Sequence, residues 1–391
     1  MFVMKGKYNI AKIYLDEVDI DESTKVQVQT FLNHPALSHS NIAIMPDCHA
    51  GKGAVVGFTM TMNEYIIANL IGVDIGCSVL SYNLGKVDVD LSELDKFFNE
   101  NIPSGFKVYN HKNPSGWVDE RIRELYQYSN HFTKNISEIA QKINPDKEDY
   151  FFNSIGSLGS GNHYCELGVD SSGNKWLTIH SGSRNFGLQI ANYHQAKAVA
   201  LSKRFFKEEK DLAFLPMEYG GKEYLEDMAI AQKYASLNRR VMMQRIVNGF
   251  FKEKYEEKYT IESVHNYIDL DKKIIRKGAI SAQENELVII PFNMRDGMMI
   301  GRGKGNKDWN YSAPHGAGRS MSRKQAKNEL TMDAFTKSME GIYTTSAVES
   351  TLDEAPMAYK PMDLILKNIA DTVEPLTFVK PLWNFKAKEQ E

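Results

Sequence analysis

Short runs rich in β-branched and apolar residues mark the strands of this chain. Residues 41–45 and 54–60 read as two strands flanking a turn at Pro46-Asp47-Cys48-His49-Ala50-Gly51-Lys52-Gly53. Residues 79–84, 176–180, 287–291, 298–300 and 377–385 follow the same pattern, and the 287–291 and 298–300 pair frames an irregular loop. Helical spacing takes over elsewhere. At 90–100, Leu91, Leu94, Phe97 and Phe98 fall on one face. A longer helix is predicted over 118–143, stopped by Asn144-Pro145, and the clearest helix over 223–251, after Gly220-Gly221. Pro361 suits the first turn of a helix ending near Asp371. Strands and helices mix without regular βαβ alternation, so the expected class is α+β and not a doubly wound sheet.

A chain of 391 residues is long enough for two or three domains at about 150 residues each. No linker offers a cut, so a single domain over 1–391 is expected. The most Gly/Ser-rich stretch, 154–161, sits beside candidate ligands and reads as a site loop. With 42% hydrophobic and 25% charged residues the chain has core enough for an ordinary globular protein. Three cysteines, Cys48, Cys77 and Cys165, cannot make a disulfide framework, which points to a reducing, cytoplasmic setting. The first residues carry acids too early for a signal peptide, and Asp74 interrupts the best apolar run, 66–80. A net charge of −3 argues against a wholly basic nucleic-acid binder. Between Arg295 and Lys327, however, eight lysines and arginines stand against two acids, a patch able to hold phosphates or simply to form a solvated face.

The chemistry gathers around Val73-Asp74-Ile75-Gly76-Cys77, a carboxylate and a thiol three residues apart on a glycine-hinged turn. Histidines recur in polar, glycine-rich settings at His163, His180, His265 and His315. A thiolate, a carboxylate and several imidazoles suit borderline divalent metals such as Zn, Mn, Fe or Co and fit poorly with Mg or Ca. His34, His39, His111, His131 and His194 read instead as ordinary core or surface residues. The loop ending Gly159-Ser160-Gly161-Asn162-His163 lets backbone approach a ligand closely. Arg184 follows His180 by four residues, and Arg319 and Arg323 lie close after His315, as phosphate chemistry at a metal requires.

Taken together, these segments resemble the RtcB family of RNA-splicing ligases. The resemblance runs from MPDCHAGKG (from Met45) through VDIGC (73–77), GSLGSGNH (156–163), HSGSR (180–184) and HNY (265–267). It continues through RKGAISA (276–282), HGAGRSMSR (315–323) and AYK (358–360) to Lys386. It implies a single large α+β catalytic domain with mixed and antiparallel sheets around a central metal cleft. It further implies an enzyme that seals an RNA 3′-phosphate or 2′,3′-cyclic phosphate to a 5′-hydroxyl using GTP and Mn(II). By position, Asp74, Cys77, His163, His180 and His265 would hold two metal ions, with the Cys77 thiolate bridging, and His315 would form a histidine–GMP intermediate. Asn162, Glu166, Tyr359 and Lys386 match positions at the nucleotide, with Lys386 reading guanine. Arg184, Arg319 and Arg323 would hold RNA or nucleotide phosphates, and Asp47 and Lys277 match positions tied to RNA handling or metal-site support. An activating partner such as archease is also implied as possible.

The residues give this assignment physical sense. An imidazole is nucleophilic only when neutral and unmetallated, so the attacking histidine should stand apart from the ligand set. Three departures from the family pattern accompany the match. Pro291-Phe292-Asn293-Met294-Arg295 stands where Pro-Gly-Ser-Met-Gly is usual, Ser78 replaces a glycine, and Ala387 replaces a terminal glycine with 388–391 beyond it. Two other functions compete with this reading. A dinuclear metal phosphoesterase acting on RNA 3′ ends needs the ligands but neither His315 nor Lys386, and a non-catalytic RNA-binding factor needs none of them.

Overall fold

The computed structural model describes residues 1–126, 131–205 and 210–388. Its architecture is α+β, built on two large sheets. The first has six strands in the order Phe2–Lys5, Ile10–Ile13, Ile42–His49, Val56–Thr61, Ile274–Lys277 and Asn266–Asp269. Ile10–Ile13 and Ile42–His49 pair in parallel, and the remaining neighbours are antiparallel. The second has seven antiparallel strands: Thr260–Val264, Ser78–Gly85, Lys175–Ser181, Tyr164–Val169, Val373–Lys386, Gly297–Gly303 and Leu287–Asn293.

Side chains of the seven-stranded sheet alternate between two very different faces. Leu80, Cys165, Leu167, Leu177, Ile179, Trp383 and Phe385 pack against Leu94 and Phe98 of helix Leu91–Asn101 and Met242, Met243 and Ile246 of helix Gly221–Gly249. Their sequence neighbours Tyr164, Glu166, His180, Asn384 and Lys386 line a cavity instead. A strand buried on both faces needs a reason for polar residues on one of them, and here the cavity supplies it.

Several elements differ from their sequence expectations. The predicted turn at 46–53 is half strand: Ile42–His49 runs through Pro46, Asp47 and Cys48 before the chain turns. The predicted helix over 118–143 is observed as Pro114–Tyr126 and Phe132–Ile143, and its residues 127–130 lie outside the described residues, as do 389–391. The loop expected between 291 and 298 is the tight end of a hairpin, Leu287–Asn293 against Gly297–Gly303. Asp90 and Pro361 occupy the N-caps of their helices; the Asp90 carboxylate accepts from the N–H groups of Ser92 and Glu93. No helix among the described residues is long and apolar enough to cross a membrane.

Candidate active site

The two sheets meet at His265, the single residue between strand Thr260–Val264 of one and Asn266–Asp269 of the other. Its N–H donates to the Cys77 carbonyl at 3.0 Å, while Gly76 N–H donates to Asn266 O at 2.7 Å, which locks the Asp74–Cys77 turn into the seam. Helix Gly221–Gly249 ties the remaining pieces together from behind. Asn238 accepts from Gly156 N at 2.7 Å and Ser157 N at 3.0 Å. The fully buried Arg239 donates to the carbonyls of Gly76 (2.9 Å) and Ser181 (2.7 Å), and pairs with Glu262. Every segment that carries a predicted metal ligand is thus pinned to another.

Asp74, Cys77, His163, His180 and His265 converge as a result. Cys77 Sγ lies 3.5 Å from His163 Nε2 and 3.3 Å from His180 Nε2; His163 Nε2 is 2.9 Å from Asp74 Oδ2, and His180 Nε2 is 3.3 Å from His265 Nε2. Two triads, Asp74/Cys77/His163 and Cys77/His180/His265, share the cysteine, and within each the donor atoms lie within 4.8 Å of one another. The outward ring nitrogens of His163 and His180 face the carbonyls of Leu158 (3.0 Å) and Asn162 (3.2 Å), so Nδ1–H is held there and both Nε2 atoms turn inward. Gly182 is required for this closeness, since a Cβ there would sit 2.0 Å from Asp74 Oδ1.

Burial sets the electrostatics. It pushes the Cys77 thiol well above its usual range, with Asp74 adding to the effect, and pulls His180 and His265 well below theirs. Burial would raise the Asp74 carboxyl too, but the hydrogen bond and charge of His163 hold it down at about 2. A divalent cation reverses the thiol's preference outright and takes up neutral imidazole lone pairs. A soft sulfur, a carboxylate oxygen and three inward nitrogens, two of them oriented by backbone carbonyls, fit such an ion: this is a buried His/Cys/Asp metal-binding cluster.

His315 lies beside the cluster but outside both triads, its ring centroid 4.8 Å from that of His265. Nδ1 is 2.7 Å from Oδ2 of the fully buried Asp47. An Nδ1–H given to that carboxylate leaves Nε2 as the nitrogen with a free electron pair. Gly318 brings the following segment against Asp47: its φ is +72°, and a Cβ would fall 2.0 Å from the Asp47 carbonyl oxygen. Asp47 thus contacts the histidine and belongs to neither triad.

A cavity of about 720 Å³ extends from Cys77, His180 and His265 past His315 to Glu166 and Lys386. At that far end Glu354, 2% exposed, accepts from Arg319 (3.3 Å), Arg323 (2.6 Å), Tyr359 Oη (2.5 Å) and Lys386 Nζ (2.8 Å). Burial alone would raise its carboxyl, but Lys386 and Arg323 hold it at about 2. Glu166 shares the wall without a direct ion pair among the described residues; burial pushes it up to about 8, against the pull of Lys386.

Residues 27–387 match the family model described as tRNA-splicing ligase RtcB. The chain belongs to the RtcB family. It is 30% identical to the Escherichia coli RNA-splicing ligase RtcB over 93% of this chain and 94% of that relative. It is 28% identical to the tRNA-splicing ligases RtcB of Aeropyrum pernix, over 82% of each chain, and of Methanococcus maripaludis, over 92% of this chain and 90% of the relative.

Against that RtcB framework the basic residues are more committed than their sequence context announced. Arg319 and Arg323 are tied to Glu354 and to Asp353, with the Arg323 side chain still 47% exposed. Arg184 is inward, donating to Ser157 Oγ (3.1 Å) and Gly105 O (2.8 Å), where it braces the glycine-rich loop. Lys277 lines the cavity but donates to the carbonyls of Lys52, Ala54 (2.8 Å) and Asn69 (3.0 Å); burial pulls it down to about 7. Asn162 and Tyr359 line the cavity as well. In the divergent segment, Phe292 and Met294 bury their side chains and Arg295 pairs with its neighbour Asp296 within the hairpin turn. Sequence reasoning missed Glu354, which carries no local signal in Asp353-Glu354-Ala355-Pro356, and Asn384, hidden within an apolar strand.

Proposed function

We propose that this protein is a GTP- and Mn(II)-dependent RNA ligase that joins RNA 3′-phosphate or 2′,3′-cyclic phosphate ends to 5′-hydroxyl ends, residues 1–391 acting as one catalytic unit in the cytoplasm. The observation that carries the reading is the pair His315–Asp47: a histidine oriented by a buried carboxylate, next to a metal cluster and not part of it. Such a nitrogen is free to attack phosphorus. On this reading Nε2 of His315 bonds to the α-phosphorus of GTP as the bond to pyrophosphate breaks, while Asp47 stabilises the charge that develops on the ring. GMP then moves to the RNA 3′-phosphate, and the 5′-hydroxyl displaces it to close the phosphodiester. A cyclic phosphate is first opened by hydrolysis.

Asp74, Cys77, His163, His180 and His265 would hold two metal ions, which polarise phosphoryl oxygens and align attacking and leaving groups. Asn162, Glu166, Tyr359 and Lys386 form the nucleotide end, where Lys386 donates to the guanine carbonyl. Arg319 and Arg323 offer phosphates the N–H groups left over from Glu354 and Asp353. Arg184 and Lys277 support RNA through the loops they brace. Archease-type activation is compatible with this scheme. Incubation with α-labelled GTP and Mn(II), followed by a denaturing gel, tests it. The wild-type chain should become covalently labelled and the His315→Ala chain should not; equal labelling of both removes the nucleophile assignment.

A further inference from the structure

Asn384 sits on strand Val373–Lys386 directly opposite Glu166, two residues before Lys386. Alternation sends its neighbours Trp383 and Phe385 into the apolar core and leaves Asn384 on the cavity face with Glu166 and Lys386. It is 1% exposed, and its backbone N–H donates to Tyr343 O at 3.1 Å. The amide is not free to turn. Nδ2 donates to the carbonyl of Met294 at 3.0 Å, and a flipped amide would set oxygen against oxygen there. Oδ1 is therefore fixed as an acceptor, buried, and without a partner among the described residues.

A buried amide oxygen on a cavity wall lacks only a donor, and the donor must come from whatever fills the cavity. Resting on the ligase reading above, we propose that Asn384 is a specificity-determining residue of the nucleotide end, whose Oδ1 accepts a hydrogen bond from the exocyclic 2-amino group of guanine. Lys386 donates to the base carbonyl, and the Glu166 carboxyl faces the same edge from the opposing strand. The 2-amino group carries two hydrogens, so it can meet Glu166 and Asn384 together. Inosine has the same carbonyl and ring N–H but no 2-amino group, and would leave Oδ1 unsatisfied, as it is now. The hairpin that carries Met294 is where this chain departs from the family pattern, and through Met294 O that hairpin sets the direction of Asn384.

Labelling of the wild-type, Asn384→Leu and Asn384→Ala chains with α-labelled GTP and ITP tests this directly. The wild type should form the adduct with GTP more efficiently than with ITP by about tenfold or more, the cost of one buried acceptor left unmade. In both variants the ratio should fall toward one, chiefly through loss of GTP efficiency. ITP labelling the wild type as well as GTP does would overturn the proposal without recourse to any variant. So would variants that lower both nucleotides in equal proportion, the mark of a packing role. Absence of a GTP adduct in the wild type is a different failure: it removes the ligase reading, and this proposal with it.

Discussion

At one end of the cavity a thiol, a carboxylate and three imidazoles face one another, with the thiol forced up by burial and two of the imidazoles forced down. At the other end a single carboxylate, Glu354, is surrounded by Arg319, Arg323, Lys386 and a tyrosine hydroxyl. The first end is an assembly of electron-pair donors that a cation completes. The second already supplies its carboxylate with counter-charges from its own side chains. Substitutions should therefore behave differently at the two ends. Removing a donor at the metal end costs chemistry and little fold stability, whereas removing Glu354 leaves buried cations unpaired and costs both.

The largest effect is expected from Cys77→Ala, because both triads lose their shared atom. Bound metal, measured by elemental analysis, should fall, and guanylylation and ligation should drop by more than about a hundredfold, since outer partners of metal ligands alone cost ten to a hundred. Replacing Cys48 or Cys165, which lie outside the triads, should leave labelling intact. Full activity of Cys77→Ala would end the assignment of Cys77 as a metal ligand. Zn(II) should bind this sulfur-containing site more tightly than Mn(II) and inhibit it.

His315→Ala probes the boundary between chemistry and metal. It should retain bound Mn(II), yet form no protein–GMP adduct and fail to join RNA bearing a 3′-phosphate. Opening of a 2′,3′-cyclic phosphate should continue, and RNA already carrying a 3′-guanylate cap should still be sealed. Loss of metal together with loss of capped-RNA sealing would make His315 a ligand instead.

The contrast between the two ends also explains what could be read from sequence. Asp74, Cys77 and His163 sit in glycine-hinged segments of unusual composition, while His180 ends a strand and His265 is weak by itself, so the five were legible as a set through the combined motifs, and the fold brings them together. Glu354 and Asn384 are different. Glu354 acquires its role from Arg319, Arg323 and Lys386, 31 to 35 residues away in sequence, and nothing near it marks it out. Asp47 looked like a turn residue because Pro46 and Gly51 flank it, but the strand continues to His49 and aims Asp47 at His315. The runs 176–180 and 377–385 were legible as strands from their β-branched and apolar composition, and they are observed as Lys175–Ser181 and Val373–Lys386. The class, α+β, was equally legible from the irregular order of elements, whereas the meeting of the two sheets at His265 is a long-range fact with no local trace.

Glu354→Gln tests the ion-pair end. It keeps the shape and removes the charge beneath Arg319, Arg323 and Lys386, all of which would then be left partly unpaired. Unfolding stability should fall by about 3 kcal/mol, read from the urea midpoint. The same change frees Lys386 from its anchor, so GTP labelling should need about tenfold more nucleotide. Metal content should not change. A variant as stable as the wild type would mean that the ion-pair hub contributes specificity without contributing stability.

The smallest effect, and the one that divides the basic residues among themselves, is expected at Arg323. Arg319 and Arg323 both contact Glu354, but their side chains are 13% and 47% exposed. Arg319 is held on three sides, by Met321 O, Asp353 O and Glu354, and rests over the Tyr359 ring at 5.2 Å. Its loss should register mainly as lost stability and nucleotide binding. Arg323 directs Nη1 to Asp353 and Glu354, and its remaining N–H groups are the ones with access to solvent and RNA phosphate. Being half exposed, it is screened, and Arg323→Ala should weaken RNA binding only a few-fold at moderate salt. The informative quantity is the salt dependence: one phosphate contact fewer should lower the slope of log affinity against log salt by about one. An unchanged slope in Arg323→Ala, with GTP labelling reduced instead, would make this arginine part of the nucleotide end and move the RNA track elsewhere.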